Sequence, residues 1–175
     1  MNAAHYDLII VGAGLAGAAL AAGASKYPLR IALIEANPIR MGWPPSEPGI
    51  DGYDARVSAL TLASQELLVD VGVWDEIVSR RARAYTDMHV WDAEGTGNIH
   101  FNAAEVGQGA LGHIIENRLV NAALLNAVQM SGRVHCLGEI AVKELQQSAE
   151  GYGLSLADGR LLNADLIVAA DGAMS

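Results

Sequence analysis

Cysteine is almost missing from this chain. The single thiol, Cys136, excludes an internal disulfide and fits a reducing compartment. Aromatic side chains are also scarce, at 5% with one Phe, so any core must be built from Ala, Val, Leu and Ile. Basic residues are outnumbered: 11 Lys and Arg against 20 Asp and Glu leave a net charge of −9. A surface of that sign repels phosphate backbones at long range and predicts no nucleic-acid partner. Long hydrophobic runs are absent too. The first, Leu8 to Val11, is cut at once by glycine, so neither a signal peptide nor a membrane span is predicted, and a cytoplasmic protein is expected. What remains is 175 residues, 51% hydrophobic and 18% charged, with mean hydropathy +0.23. That is too apolar for disorder and about the size of one packed domain.

The unbroken run Tyr6 to Val11 reads as a strand buried on both faces, and Leu15 to Lys26, rich in alanine, as a helix stopped by Pro28. Arg30 to Glu35 is a second buried strand, which completes a βαβ unit with parallel strands. Asn37 to Ala55 holds four of the five prolines and predicts a mobile excursion, the least ordered part of the chain. Ser58 is expected to cap a helix over Ala59 to Asp70, followed by a short helix around Trp74 to Arg81. Thr86 to Trp91 and Asn98 to Asn102 flank Glu94-Gly95-Thr96-Gly97 as a hairpin. Asn117 to Met130 predicts a helix closed by Gly132, and Arg133 to Leu137 a short strand. Val142 to Gln147, Tyr152 to Leu156 and Arg160 to Leu162 read as a three-stranded β-meander within residues 138–163, and Asp165 to Ala170 as a separate final strand.

Gly12-Ala13-Gly14-Leu15-Ala16-Gly17 is a GxGxxG placed directly between the first strand and the first helix. The first glycine makes the tight turn, the second admits a pyrophosphate to the backbone, and the third allows close helix packing. The N–H groups at Leu15 and Ala16 open the helix toward the phosphates. Glu35, at about the expected distance of 20 residues, is placed to accept from a ribose hydroxyl. Its charge disfavours a 2′-phosphate. A glycine turn without ligand is the plain alternative, and the fingerprint by itself does not separate FAD from NAD. The continuation does, because a Pro-rich loop, a hairpin and a meander replace further βα repeats.

The segments DLIIVGAGLAG, DARVSAL (Asp54 to Leu60), VWDEIVSRRARAYTDMHVWD (Val73 to Asp92), LGHIIENRLVNAAL (Leu111 to Leu124) and ADLIVAADGAMS (Ala164 to Ser175) resemble the FAD-dependent ubiquinone-biosynthesis hydroxylases, aromatic-ring monooxygenases acting on polyprenyl phenols. The resemblance implies an α/β, Rossmann-like FAD/NAD(P)-binding fold of the glutathione-reductase-2 type, with residues 85–110 contributing to a substrate domain. It implies that Gly12, Gly14, Leu15, Ala16, Gly17, Glu35, Arg56, Asn117, Asp171 and Gly172 contact FAD. NAD(P)H is then the electron donor, and oxygen and a polyprenyl phenol are the substrates. Peripheral association with the inner membrane or with a ubiquinone-pathway complex is a further expectation. The family's later GD motif does not occur in this sequence and no GQG helix start follows it, so it reads as an N-terminal part, inactive alone and prone to self-association. Two other readings stay open: an FAD oxidoreductase of the same fold with another aromatic substrate, and a non-catalytic dinucleotide-binding module.

His89 and His100 face each other across the predicted hairpin, but no third ligand has suitable spacing, so no metal is expected. Arg80, Arg81 and Arg83 read as a solvated helix end rather than a partner or lipid site. Cys136 reads as a small buried hydrophobe.

Overall fold

A computed structural model of the chain describes residues 4–44, 54–148 and 151–172. The expectation of a mobile excursion falls largely on residues 45–53, outside the described residues. Contacts divide the chain into one unit of Met1–Trp43 and Asn121–Ser175 and a second of Pro44–Val120.

In the first unit, β1 (Ala4–Val11), α1 (Leu15–Ala24) and β2 (Ile31–Ile34) form the expected βαβ motif, with β1 and β2 parallel. The helix can approach the sheet because its inward face is Gly17, Ala18, Ala21 and Ala22. β8 (Val134–Leu137), β9 (Val142–Ser148), β10 (Gly151–Leu156) and β11 (Leu161–Ala169) complete a six-stranded sheet of order β8-β2-β1-β11-β10-β9. β8, β2, β1 and β11 run parallel, and β11-β10-β9 is the antiparallel meander. Ile9, Ala32, Ile34, Leu154, Leu156 and Leu162 pack together as a buried cluster.

The third meander strand and the final buried strand are a single strand. β11 pairs with β1 from Ala4↔Leu162 to Val11↔Ala169, while β10 covers its other edge only from Leu161 to Ala164. The sequence changes from alternating to continuously apolar at Asp165 because the strand's surroundings change there, although its backbone runs on.

In the second unit, β3 (Val57–Thr61), β7 (Gly112–Glu116) and β4 (Arg83–Tyr85) form an antiparallel sheet of order β3-β7-β4. α2 (Leu62–Val71) and α3 (Trp74–Arg80) lie between β3 and β4 in the chain. The helix expected over Ala59 to Asp70 with Ser58 as its cap starts three residues later, at Leu62. Ser58 lies within β3, and Thr61 caps α2 by accepting from the Ser64 N–H at 3.3 Å. Gly72, at φ 83°, ends α2 in the left-handed region that a side chain disfavours. β5 (Asp87–Trp91) and β6 (Asn98–Asn102) form the expected hairpin, with His89 opposite His100. α4 (Asn117–Ser131) begins in this unit and continues in the first.

Candidate functional site: a glycine-lined dinucleotide cradle

The glycine turn follows β1, and the Gly12 N–H donates to the Ile34 carbonyl at 2.7 Å, tying the turn to the end of β2. Gly12 sits at φ 101°, and a Cβ there would strike the Ala170 carbonyl and lie 2.7 Å from the Asp171 Cα. A Cβ on Gly17 would overlap the Gly12 carbonyl oxygen. Both positions are therefore closed by the protein's own backbone. Gly14 differs: a Cβ there meets nothing within 4 Å. Among the described residues no atom requires a glycine at that point, which is exposed at the start of α1, beside exposed Ala16. The space over Gly14 and the N–H groups that open α1, which a helix's own ladder leaves without a partner, are what a pyrophosphate needs.

Glu35 lies just past β2, half-buried. Its Oε2 accepts from the Ala13 N–H at 2.8 Å, and its Oε1 accepts from the Asn37 backbone and side-chain amides at 3.0 Å each. Burial pushes this carboxyl up, but the N–H donors from Ala13 and Asn37 outweigh it and hold the group below the ordinary glutamate range. Glu35 therefore stays ionised and braces the glycine turn. That link was not foreseen from sequence, where the acid was assigned only to the ribose. Asp171 and Gly172 follow β11, where the Ala170 N–H donates to the Val11 carbonyl at 2.7 Å, so the Asp-Gly pair stands beside Gly12. Gly172 is at φ 96°.

Arg56 and Asn117 belong to the second unit and are joined there. The Asn117 N–H donates to the Arg56 carbonyl at 3.0 Å, and the Ser58 hydroxyl donates to the Asn117 Oδ1 at 2.5 Å. The Arg56 N–H donates to Asp54 Oδ1 at 3.0 Å, so its backbone is fixed on both sides while its side chain stays exposed. Next to them is a carboxylate the sequence reading missed. Glu116 is 3% exposed; Arg81 Nη1 donates to its Oε1 at 2.9 Å, and Arg118 Nε and the Asp54 N–H donate to its Oε2 at 2.7 and 3.1 Å. Burial pushes Glu116 up, and the Arg118 bond, the Asp54 N–H and the two guanidinium charges bring it below the ordinary value. Arg81 thus leaves the solvated cluster to which the sequence assigned it, whereas Arg83 lies exposed on β4.

The FAD binding domain family model matches residues 5–175. The chain is 32% identical over 169 residues to ubiquinone hydroxylase UbiL of Rhodospirillum rubrum, covering 97% of this chain and 38% of that protein. It is 31% identical over 169 residues to the 3-demethoxyubiquinol 3-hydroxylase of Escherichia coli, covering 97% of this chain and 42% of that one. The structure of p-nitrophenol 4-monooxygenase PnpA from Pseudomonas putida DLL-E4 superposes with a TM-score of 0.73 at 19% identity, covering all of this chain and 42% of that one. The chain therefore spans about two fifths of the length of these relatives. With a family model matching residues 5–175, nearly its whole length, the chain belongs to the FAD binding domain family.

Proposed function

We propose that this chain supplies the nucleotide-binding part of an FAD-dependent monooxygenase that hydroxylates the aromatic ring of a polyprenyl phenol in ubiquinone biosynthesis. NAD(P)H is the electron donor. The observation that carries the cofactor assignment is the open space over Gly14, flanked by two glycines that the fold itself needs. In this reading the N–H groups of Gly14, Leu15 and Ala16 hold the pyrophosphate, Glu35 accepts from the adenosine ribose, and Asp171 with Gly172 contacts the cofactor beside Gly12. Arg56 and Asn117 are proposed as further contacts on the strength of the family resemblance. FAD, when bound, supplies the redox and oxygen chemistry, and the protein binds and orients it.

The substrate assignment rests on the two hydroxylase relatives, each aligned over 97% of this chain. A prenylated phenol resides in lipid, so peripheral membrane association belongs to the same proposal, as do docking to a ubiquinone-pathway complex and self-association. Residues 85–110 are assigned to the substrate domain. Among the described residues no helix is long and apolar enough to cross a membrane.

The test uses the protein that carries this chain, supplied with NAD(P)H, oxygen and a short-chain prenyl phenol. Mass spectrometry should find a product with one added oxygen, and the purified protein should carry flavin. A flavin-loaded protein that reduces oxygen but leaves every prenyl phenol unchanged would overturn the substrate class while sparing the cofactor.

A further inference from the structure

At the opposite end of the first unit's sheet from the glycine turn, the N-terminal ends of β1, β2 and β8 open onto a groove of about 440 Å³. Tyr6, Leu29, Arg30, Arg133 and His135 line it. Six residues of extended chain, about 20 Å, separate Tyr6 from Gly12, so the groove is remote from the cradle. Both guanidiniums are oriented by backbone carbonyls: Arg30 Nη2 donates to the His5 carbonyl, and Arg133 Nη1 donates to the Tyr27 carbonyl at 3.3 Å. Neither forms an ion pair with a carboxylate among the described residues. Asp7 is near, but its Oδ2 accepts from the Arg30 backbone N–H at 2.5 Å. The Tyr6 hydroxyl and His135 Nδ1 are 2.6 Å apart and brace the groove wall. Beside the arginines, Tyr27 is 62% and Leu29 37% exposed on the turn between α1 and β2.

Two fixed guanidiniums with spare N–H donors suit the oxygens of a phosphate. An exposed tyrosine and leucine beside them suit the boundary between headgroup and acyl chain, where amphipathic rings settle. We propose that this groove binds the phosphate of an anionic phospholipid and holds the protein at a lipid surface through the α1–β2 turn. The inference rests on the proposed lipid-borne substrate, and it assigns that contact to named residues. The remaining surface, at net −9, repels anionic lipid, but screening confines such repulsion to about 10 Å, so a local basic groove can act.

The experiment is co-sedimentation of the purified chain with phosphatidylcholine vesicles, with and without phosphatidylglycerol. Binding is expected only to the mixed vesicles. Arg30→Gln and Arg133→Gln should each weaken it about fivefold, and Tyr27→Ser should also weaken it. Arg160→Gln, which removes an exposed charge paired with Asp158 elsewhere, should leave binding unchanged. Equal loss with Arg160→Gln would reduce the effect to general charge and overturn the site. So would failure of the chain to sediment with mixed vesicles, including the case where inorganic phosphate alone shifts the Arg30 and Arg133 Nε–H resonances. Circular dichroism checks the fold of each variant, and Arg133→Lys, which keeps the charge but loses the planar fork, should bind more tightly than Arg133→Gln and less tightly than the parent. Flavin content and hydroxylation play no part in these readouts, so this proposal and the functional one fail separately.

Discussion

A side chain at Gly14 has room in the protein but none once a phosphate sits on the backbone. Gly14→Val should therefore leave the thermal unfolding midpoint within a few degrees of the parent while abolishing flavin retention in the protein carrying this chain. Gly17→Ala should do the reverse in origin, costing about 1–3 kcal/mol of stability by denaturant titration, because its methyl overlaps the Gly12 carbonyl. Gly14→Val protein that stays yellow would remove the phosphate assignment. Glu35 has a second kind of test. Its carboxylate is held ionised by Ala13 and Asn37, so its stabilisation of the glycine turn is present above the ordinary carboxylate range and is lost as pH falls through its depressed folded value. Glu35→Gln exchanges a charged acceptor for a neutral one, worth roughly 1–2 kcal/mol, and should weaken FAD about tenfold in a titration of the apoprotein. The same substitution should flatten the acid limb of the stability profile.

Among the elements, the joint between β3, β7 and the start of α4 depends on Glu116. Glu116 is the buried acceptor of three hydrogen bonds, so Glu116→Ala should cost about 1–3 kcal/mol by chemical denaturation. Because its folded pKa lies below the ordinary 4.5, the Glu116 contribution is complete above that value and disappears as pH falls through the folded one. Glu116→Gln should therefore remove part of the acid sensitivity, which a pH series of melting temperatures would reveal. The β5–β6 hairpin presents a different case. It is a two-stranded sheet with Val90, Ile99 and Phe101 exposed on one face. Such a pair is marginal by itself, so its amides should exchange hydrogen far faster than those of β1 and β2.

These elements also explain what the sequence could and could not disclose. β1, α1 and β2 were legible because a continuous apolar run, a glycine turn and an alanine helix each permit one reading. β3 was not: its inward face is Ser58 and Leu60, while Val57 on the outward face is 50% exposed, so the alternation is blurred and the segment resembles a capped helix start. β4 has three residues and β7 follows a glycine-rich stretch, too little pattern for either. The cradle glycines were legible for the same reason as β1. The Glu116 cluster was not, since it exists only once Val57 stands opposite Glu116 in the β3–β7 register and Arg81 arrives from the end of α3.

For the molecule as a whole, the decisive feature is that β11 runs on past β10. From Asp165 to Ala169 one edge is hydrogen-bonded to β1, and among the described residues no strand pairs with the other. Leu166 there is 54% exposed in a run whose composition suits a buried strand. An unpaired edge of that kind invites a second chain. The purified chain should accordingly associate with itself at micromolar concentration, and Leu166→Lys should shift it toward monomer in analytical ultracentrifugation. A chain that sediments as a monomer without the substitution would remove the edge from consideration. The same edge makes the chain a receptor for fragment complementation: a separate polypeptide bearing one compatible apolar strand could dock along Asp165 to Ala169 and extend the sheet, so that two pieces made apart could reassemble without a covalent link.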